Sequence, residues 1–215
     1  MSLHEHDHDH DHDHDDHAPI VDDATINDHE VISRAMQELL EERGVLTAEQ
    51  VRREMELFDE DFPYRGTRVI ARAWHDAAFM SALLEDGKRA CESLPGIEIE
   101  APELVAVANT PEVHNVVVCT LCSCYPRSLL GMPPTWYKST SYRSRMVREP
   151  RAVLQEFGTH IPDDVEVRVH DSTANLRYLV VPMRPSGTDG WSEEELASLV
   201  SRDALVGVTI PQGPR

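Results

Sequence analysis

Apolar residues in the first third of the chain recur every three or four positions, the spacing of an amphipathic helix. The first helix start is marked by Asn27 or Asp28, and the second by Thr47-Ala-Glu-Gln50, which matches a capping box. Pro63 and Gly66 interrupt the second of these helices. Because the apolar faces are broad for so small a unit, we expect this region to pack around a partner or the rest of the chain. The predicted helices cover residues 28–43, 47–60 and 68–84, the last continuing beyond Gly87 to residue 94.

From Pro95 onward, short β-branched runs replace the helical spacing. Runs bounded by Pro, Asn and His are typical of strands. Ser192-Glu-Glu-Glu195 is a further capping box, which predicts a short helix to about Ser201. Strands that cluster apart from the long helices indicate an α+β fold. The predicted strands cover residues 105–107, 116–118, 165–169, 178–181 and 206–210.

The chain is strongly acidic, with 39 Asp and Glu against 20 Lys and Arg and a net charge of −19. Nucleic acid and anionic membrane surfaces repel such a protein, so neither is expected as a partner. No apolar run approaches the roughly 20 residues of a membrane span. The N-terminus lacks the basic start and apolar core of a secretory signal. We therefore expect a cytoplasmic protein.

Part of the negative charge lies in residues 1–23, which hold nine acidic residues, seven of the 12 histidines and no Lys or Arg. With almost nothing apolar to bury, this tail is expected to be disordered. Its alternating His and Asp are compatible with a metal-collecting arm and equally with a solvated tail. The predicted organisation is this tail, a helical arm at residues 24–94 and an α+β metal-binding domain at residues 95–215.

Three of the four cysteines stand within six residues, as Cys119-Thr-Leu-Cys122-Ser-Cys124, directly after a predicted strand. Such clustering favours metal or redox chemistry over structural disulfides. A zinc site would need four ligands, for which the chain offers only Cys91 and His114 as additions. A dithiol redox pair would leave Cys124 unexplained.

A third interpretation is a loop that wraps one small ion. The loop would present three sulfurs, and its short end would add deprotonated backbone nitrogens, which are strong donors for a trivalent ion. Alternatively, the three cysteines have no chemical role and are packed as small apolar side chains.

The segment Val118-Cys-Thr-Leu-Cys-Ser-Cys124 resembles the metal claw of nitrile hydratase α subunits, a family that includes the γ subunit of thiocyanate hydrolase. The likeness extends over residues 28–211 and implies a layered α-β-β-α domain behind the helical arm. Thr120 resembles the cobalt-type claw. Further matching segments are Gly131-Met-Pro-Pro-Thr-Trp-Tyr-Lys138, Tyr142-Arg-Ser-Arg145, Val147-Arg-Glu-Pro-Arg151, Arg184-Pro-Ser-Gly-Thr-Asp-Gly-Trp191 and Val206-Gly-Val-Thr-Ile-Pro211.

The resemblance implies a set of metal ligands and a reaction. Cys119 would be the axial thiolate, and Cys122 and Cys124 would be equatorial ligands carried as sulfinic and sulfenic acids. The amide nitrogens of Ser123 and Cys124 would complete five ligands to a non-corrin cobalt(III) ion, with the sixth position open. The metal would activate a nitrile, and the Cys124 sulfenate or a hydroxide on the metal would attack it to give the amide.

The resemblance also implies a partner, the β subunit, either whole or split into two chains, whose arginines hold the oxidised cysteines. Two hypotheses compete with this function: a thiocyanate hydrolase γ-type subunit, and a cobalt-binding or maturation protein.

Two departures from the family pattern concern the substrate, for which a nucleoside nitrile such as toyocamycin is one candidate. Arg127 stands where many members have Trp, so it either makes the pocket polar or bridges to a partner subunit. A pocket Gln is absent, and its region offers Glu98, Glu100 or Glu103. Trp136 either borders the substrate pocket or is a packing anchor.

Overall fold

A computed structural model describes residues 28–214, except for the side chains of residues 28–30 and 52–63. The predicted tail, residues 1–23, lies outside the described residues. The helices are α1 (Asp28–Glu42), α2 (Ala48–His75), α3 (Ala77–Glu85), α4 (Gly87–Glu92), α5 (Arg127–Leu130), α6 (Thr135–Lys138), α7 (Thr140–Arg148), α8 (Pro150–Glu156), α9 (Glu193–Ser198) and α10 (Arg202–Val206). The strands are β1 (Glu103–Ala108), β2 (Val113–Val118), β3 (Glu166–Asp171) and β4 (Leu176–Val181).

The long helix α2 begins as predicted but does not end where predicted. Thr47 and Gln50 form the expected capping box, with the Thr47 hydroxyl accepting from the Gln50 amide and the Gln50 side chain accepting in return. The predicted interruption at Pro63 and Gly66 is wrong, because α2 continues to His75. A Cβ on Gly66 would lie 2.8 Å from the Leu129 carbonyl oxygen, so this glycine allows α5 to approach α2 closely.

Two aspartates divide the helical region instead. The Asp76 carboxylate accepts from the amides of Ala78 and Phe79, which ends α2 and caps the start of α3. Asp86 separates α3 from α4 in the same way, by accepting from the Arg89 amide. The predicted break near Gly87 is therefore confirmed, whereas the break at Asp76 was not predicted.

The four strands form two parallel pairs, β1 with β4 and β2 with β3. Helices α3 and α4 pack on β1, helices α7 and α8 pack on β2 and β3, and β2 contacts β4 between the two sheets. This is the expected α-β-β-α layering, and the α+β class is confirmed. The last predicted strand, at residues 206–210, is wrong. Ser201 caps α10 there, and the chain turns at Gly207 with a φ of 90°.

The core is continuous from the helical arm into the layered domain. Fully buried side chains of α2 and α3 belong to the same apolar cluster as those of α5 and α10, among them Ile70, Leu83, Leu129 and Leu205. The division of the chain at residue 94 stays a prediction. Within the described residues, no helix combines the length and the apolar character that a membrane span requires.

Polar side chains of β2 connect the two sheets. Asn115 donates to the Ala108 carbonyl at the end of β1, and its side-chain oxygen lies 2.8 Å from Nε2 of His170 on β3. His114 is buried, with Nε2 at 2.7 Å from the Gly207 carbonyl oxygen. These contacts tie the first half of β2 to the end of β1, to β3 and to the turn after α10.

Candidate metal centre

The three clustered cysteines come together at the end of β2. Their sulfur atoms all lie within 4.8 Å of one another. The sulfur of Cys122 is 3.4 Å from that of Cys119 and 3.0 Å from that of Cys124, and all three are free thiols. Cys119 and Cys124 are buried, whereas Cys122 is exposed. We call residues 119–124 the claw loop.

The pairing of β2 with β3 fixes the first half of the claw loop. Val118 ends β2 opposite Asp171, the last residue of β3. The Asp171 carboxylate accepts two hydrogen bonds from Thr120, one from its amide at 2.9 Å and one from its hydroxyl at 2.5 Å. Because the strands are parallel, their carboxyl ends meet at one edge, and the carboxylate can reach the residue after Cys119.

Two other side chains fix the second half. The Tyr137 hydroxyl donates to the Cys124 carbonyl oxygen at 2.8 Å, and the Arg177 guanidinium donates to the Tyr125 carbonyl oxygen at 3.3 Å. The rings of Tyr125 and Tyr137 meet edge to face at 5.0 Å. The claw loop is thus held at both ends by groups from elsewhere in the chain.

The pKa values of Cys122 and Cys124 are shifted in opposite directions. A hydrogen bond from the Cys124 thiol is the main reason why the pKa of Cys122 is lowered, and the backbone amides of Ser123 and Cys124 also lower it. Burial, with the hydrogen bond to Cys122, raises the pKa of Cys124 to about 12. Of Cys122 and Cys124, Cys122 is therefore the thiol that loses its proton more readily.

This donor set is suited to a transition metal. Thiolate sulfur is a soft ligand that magnesium and calcium avoid, and the two amide nitrogens adjoin the sulfurs. A zinc site would need a fourth ligand, and the two additional residues that the sequence offered do not supply it. Neither Cys91 nor His114 belongs to the cluster, Cys91 being buried in the core and His114 bonded to Gly207.

A groove of about 380 Å³ opens beside the cluster. Its walls include Cys122, Cys124 and three charged residues, Glu100, Arg127 and Arg177. Arg127 begins α5 and is exposed, and Arg177 attracts negative charge on Cys124, which favours the thiolate. A small polar or anionic molecule in this groove would lie next to the exposed sulfur.

The predicted site residues are distributed unevenly around this groove. Arg127 lines it together with Cys122, Ser123 and Cys124. Trp136 lies outside its lining, in an aromatic cluster where its ring is 4.9 Å from that of Tyr142 and 4.8 Å from that of Phe157. Its role at a substrate pocket stays a prediction.

Sequence reasoning missed three residues that hold the claw loop: Asp171, Tyr137 and Arg177. Asp171 lies two residues after a predicted strand, and it could have been found once that strand was known to pair with the one before Cys119. For Tyr137 and Arg177 the sequence offers no such signal, because nothing local indicates which backbone carbonyl their side chains reach.

Known proteins resemble this chain over nearly its whole described length. Residues 27–209 match the family model of the nitrile hydratase alpha chain. The cobalt-containing nitrile hydratase subunit alpha of Pseudonocardia thermophila is 48% identical over 177 residues, covering 81% of this chain and 87% of that subunit. The thiocyanate hydrolase subunit gamma of Thiobacillus thioparus is 43% identical over 206 residues, covering 91% and 84%.

A solved structure is also similar. A double mutant of the iron-type nitrile hydratase from Comamonas testosteroni Ni1 has a TM-score of 0.75 and 40% sequence identity, covering 86% of this chain and 91% of that one. The residues that match the family model include the claw loop and every helix and strand of the described chain.

Proposed function

The chain belongs to the nitrile hydratase alpha-chain family, and we propose that it is the cobalt-bearing subunit of an enzyme that hydrates a nitrile to its amide. The observation that carries this proposal is the claw loop, in which three sulfurs lie within 4.8 Å of one another and the backbone amides of Ser123 and Cys124 adjoin them in the sequence. Family membership supplies the reaction class, and the donor set supports the metal.

We assign the ligands residue by residue. Cys119, Cys122 and Cys124 would provide three sulfurs, and Ser123 and Cys124 would add their amide nitrogens. When bound, cobalt(III) would supply a Lewis acid with one open position. We propose that molecular oxygen, as the oxidant, converts Cys122 to a sulfinic acid and Cys124 to a sulfenic acid, since a bound metal keeps both sulfurs as thiolates and the thiolate is the form that oxidises.

The remaining side chains act on the substrate and on the loop. Asp171 and Tyr137 hold the two ends of the loop, so the sulfurs stay together without further rearrangement. Arg127 and Arg177 line the groove through which a nitrile reaches Cys122 and Cys124. The sulfenate oxygen of Cys124 would add to the nitrile carbon as one carbon–nitrogen π bond breaks and the nitrogen takes a proton. Water would then release the amide and restore the sulfenate.

The partner is a β subunit, whole or split into two chains, and α1 supports an extended contact with it. Four apolar residues of one face of α1 are exposed: Val31, Ile32 and Met36 at 56% and Leu39 at 45%. Exposed apolar side chains that cluster on one face of a helix are unfavourable in water and are typical of a protein interface.

A second candidate function, thiocyanate hydrolysis, is supported by the charge of the groove. Thiocyanate carries the same carbon–nitrogen triple bond and a negative charge, which the guanidinium groups of Arg127 and Arg177 would attract. Both candidate functions use the claw loop as the catalytic site, and they differ in the substrate.

One preparation tests both functions. The chain, produced in cobalt medium together with its partner subunit, would be analysed for cobalt, for oxygen on Cys122 and Cys124 by mass spectrometry, and for product. Amide from a panel of nitriles that includes toyocamycin supports nitrile hydration, whereas carbonyl sulfide from thiocyanate supports the second candidate. Active protein with unmodified thiols or with bound zinc would contradict the claw assignment.

A further inference from the structure

A buried phenol supports the end of the claw loop. Tyr137 is fully buried, and its hydroxyl donates to the Cys124 carbonyl oxygen at 2.8 Å. This bond joins α6 to the residue that closes the loop, 13 positions earlier in the chain. Because the bond is buried, no water can replace it without entering the core.

The ring of Tyr137 has little freedom to move. It contacts the ring of Tyr125 at 5.0 Å, that of Tyr142 at 5.7 Å and that of Trp136 at 5.8 Å. An aromatic ring packed on three sides holds its hydroxyl in one direction. The aromatic cluster therefore acts as a rigid support for the carbonyl of Cys124.

Cys124 is the residue for which such support matters most. In the proposed ligand set it supplies two donors, its sulfur and its amide nitrogen, so a rotation of its backbone moves both. Its sulfur lies 3.0 Å from that of Cys122. Fixing its carbonyl restricts the ψ angle of Cys124 and leaves the sulfur and the nitrogen on the side of the cluster.

We propose that Tyr137 is a positioning residue of the metal centre, whose hydrogen bond to the Cys124 carbonyl holds both donors of Cys124 ready for the metal. This inference rests on the proposed function of the claw loop as a cobalt site. Tyr137 itself touches neither metal nor substrate; it acts through Cys124.

The chain offers a matched control in Tyr142. Its hydroxyl donates to the Val117 carbonyl oxygen at 2.7 Å, it is also fully buried, and it belongs to the same aromatic cluster. Val117, however, lies inside β2, where the pairing with β3 already holds the backbone. Removing this hydroxyl should lower stability without loosening the claw loop.

The test compares the wild-type complex with its Tyr137→Phe and Tyr142→Phe variants, all assembled with the partner subunit in cobalt medium. Cobalt per chain, the rate of cobalt loss to a chelator and the sulfur-to-cobalt absorption band are measured beside the melting temperature. Tyr137→Phe should lose cobalt about tenfold faster than the wild type. A buried carbonyl that loses its hydrogen-bond donor is destabilised by an amount that corresponds to about a factor of ten in the rate. Tyr142→Phe should keep the wild-type rate despite a similar fall in melting temperature.

Equal rates for the two variants, or a wild-type rate for Tyr137→Phe, would overturn the inference while leaving the proposed function intact. A wild-type complex that holds no cobalt would overturn the proposed function and the inference with it. The metal-free full chain gives a second measurement that does not need the complex. Alkylation of the buried Cys124 thiol should be about tenfold faster in Tyr137→Phe than in wild type or Tyr142→Phe, and equal rates would contradict the proposal.

Discussion

Replacing Asp171 with alanine should weaken metal binding at the claw loop, although Asp171 is not a ligand. The substitution removes both hydrogen bonds that hold Thr120, the amide bond of 2.9 Å and the hydroxyl bond of 2.5 Å. Thr120 then gains freedom to rotate, and the loop between Cys119 and Cys122 loses its fixed starting point. The metal must then order the loop as it binds.

The size of the effect follows from the acceptor charge and the exposure of the pair. A hydrogen bond to a charged group contributes about 1.5–3 kcal/mol where water is excluded. Thr120 and Asp171 are exposed, so water replaces much of what is lost. We therefore expect a total loss of about 1–2 kcal/mol, which corresponds to cobalt binding weaker by about 5- to 30-fold.

Competition with a chelator, followed by elemental analysis of the assembled complex, measures this loss. Asp164→Ala removes an exposed carboxylate in the turn before β3 and serves as the control for net charge. Thr120→Val removes the hydroxyl bond while keeping the amide bond. In a double-mutant cycle, Thr120→Val and Asp171→Ala should show a coupling of about 1 kcal/mol. Additive effects, or a wild-type affinity in Asp171→Ala, would refute the role given to this pair.

Three further predictions concern stability and assembly. Burial lowers the pKa of His114. The neutral imidazole therefore contributes its full stability above the ordinary pKa of about 6.5, and this stability is lost as the pH falls through the lowered value. The urea midpoints at pH 7 and pH 5 should differ less in His114→Gln than in the wild type. Gly66→Ala should cost about 1–2 kcal/mol of unfolding free energy in urea, because its Cβ would lie 2.8 Å from the Leu129 carbonyl oxygen, and an unchanged midpoint would contradict this packing. Ile32→Glu with Met36→Glu should abolish co-purification of the partner subunit while leaving the melting temperature of the isolated chain unchanged, whereas retained binding would exclude this face of α1 as the interface.

The cysteine cluster of the candidate site could be predicted from the sequence because its members lie within six consecutive residues. Six residues carry all the proposed donors, and their spacing along the sequence does not depend on how the rest of the chain folds. The helix caps at Thr47 and Ser192 were predictable for the same reason, since a capping box closes within four residues.

The supports of the loop could not be predicted because they come from distant residues. Asp171 is 51 positions from Thr120, and it arrives there only through the parallel pairing of β2 and β3. A glycine misled the prediction for a related reason. Gly66 suggests a local break, yet it lies inside α2, where a Cβ would lie 2.8 Å from the Leu129 carbonyl oxygen. Close approach between elements leaves no local pattern.

The way the claw loop is buried explains why the chain would need a partner to complete the site. Its ends are covered, with Cys119 at 0% and Cys124 at 9% exposure, whereas Leu121 at the tip is 89% exposed and Cys122 is open to solvent. A sulfenic acid condenses with thiols, so a sulfenic acid on Cys124, next to the exposed Cys122, is expected to require a cover. Burying Leu121 against that cover would contribute about 1.5–3 kcal/mol to assembly. The same contact would therefore both bind the subunits and exclude water from the sulfurs, which ties a protected metal centre to the assembled complex.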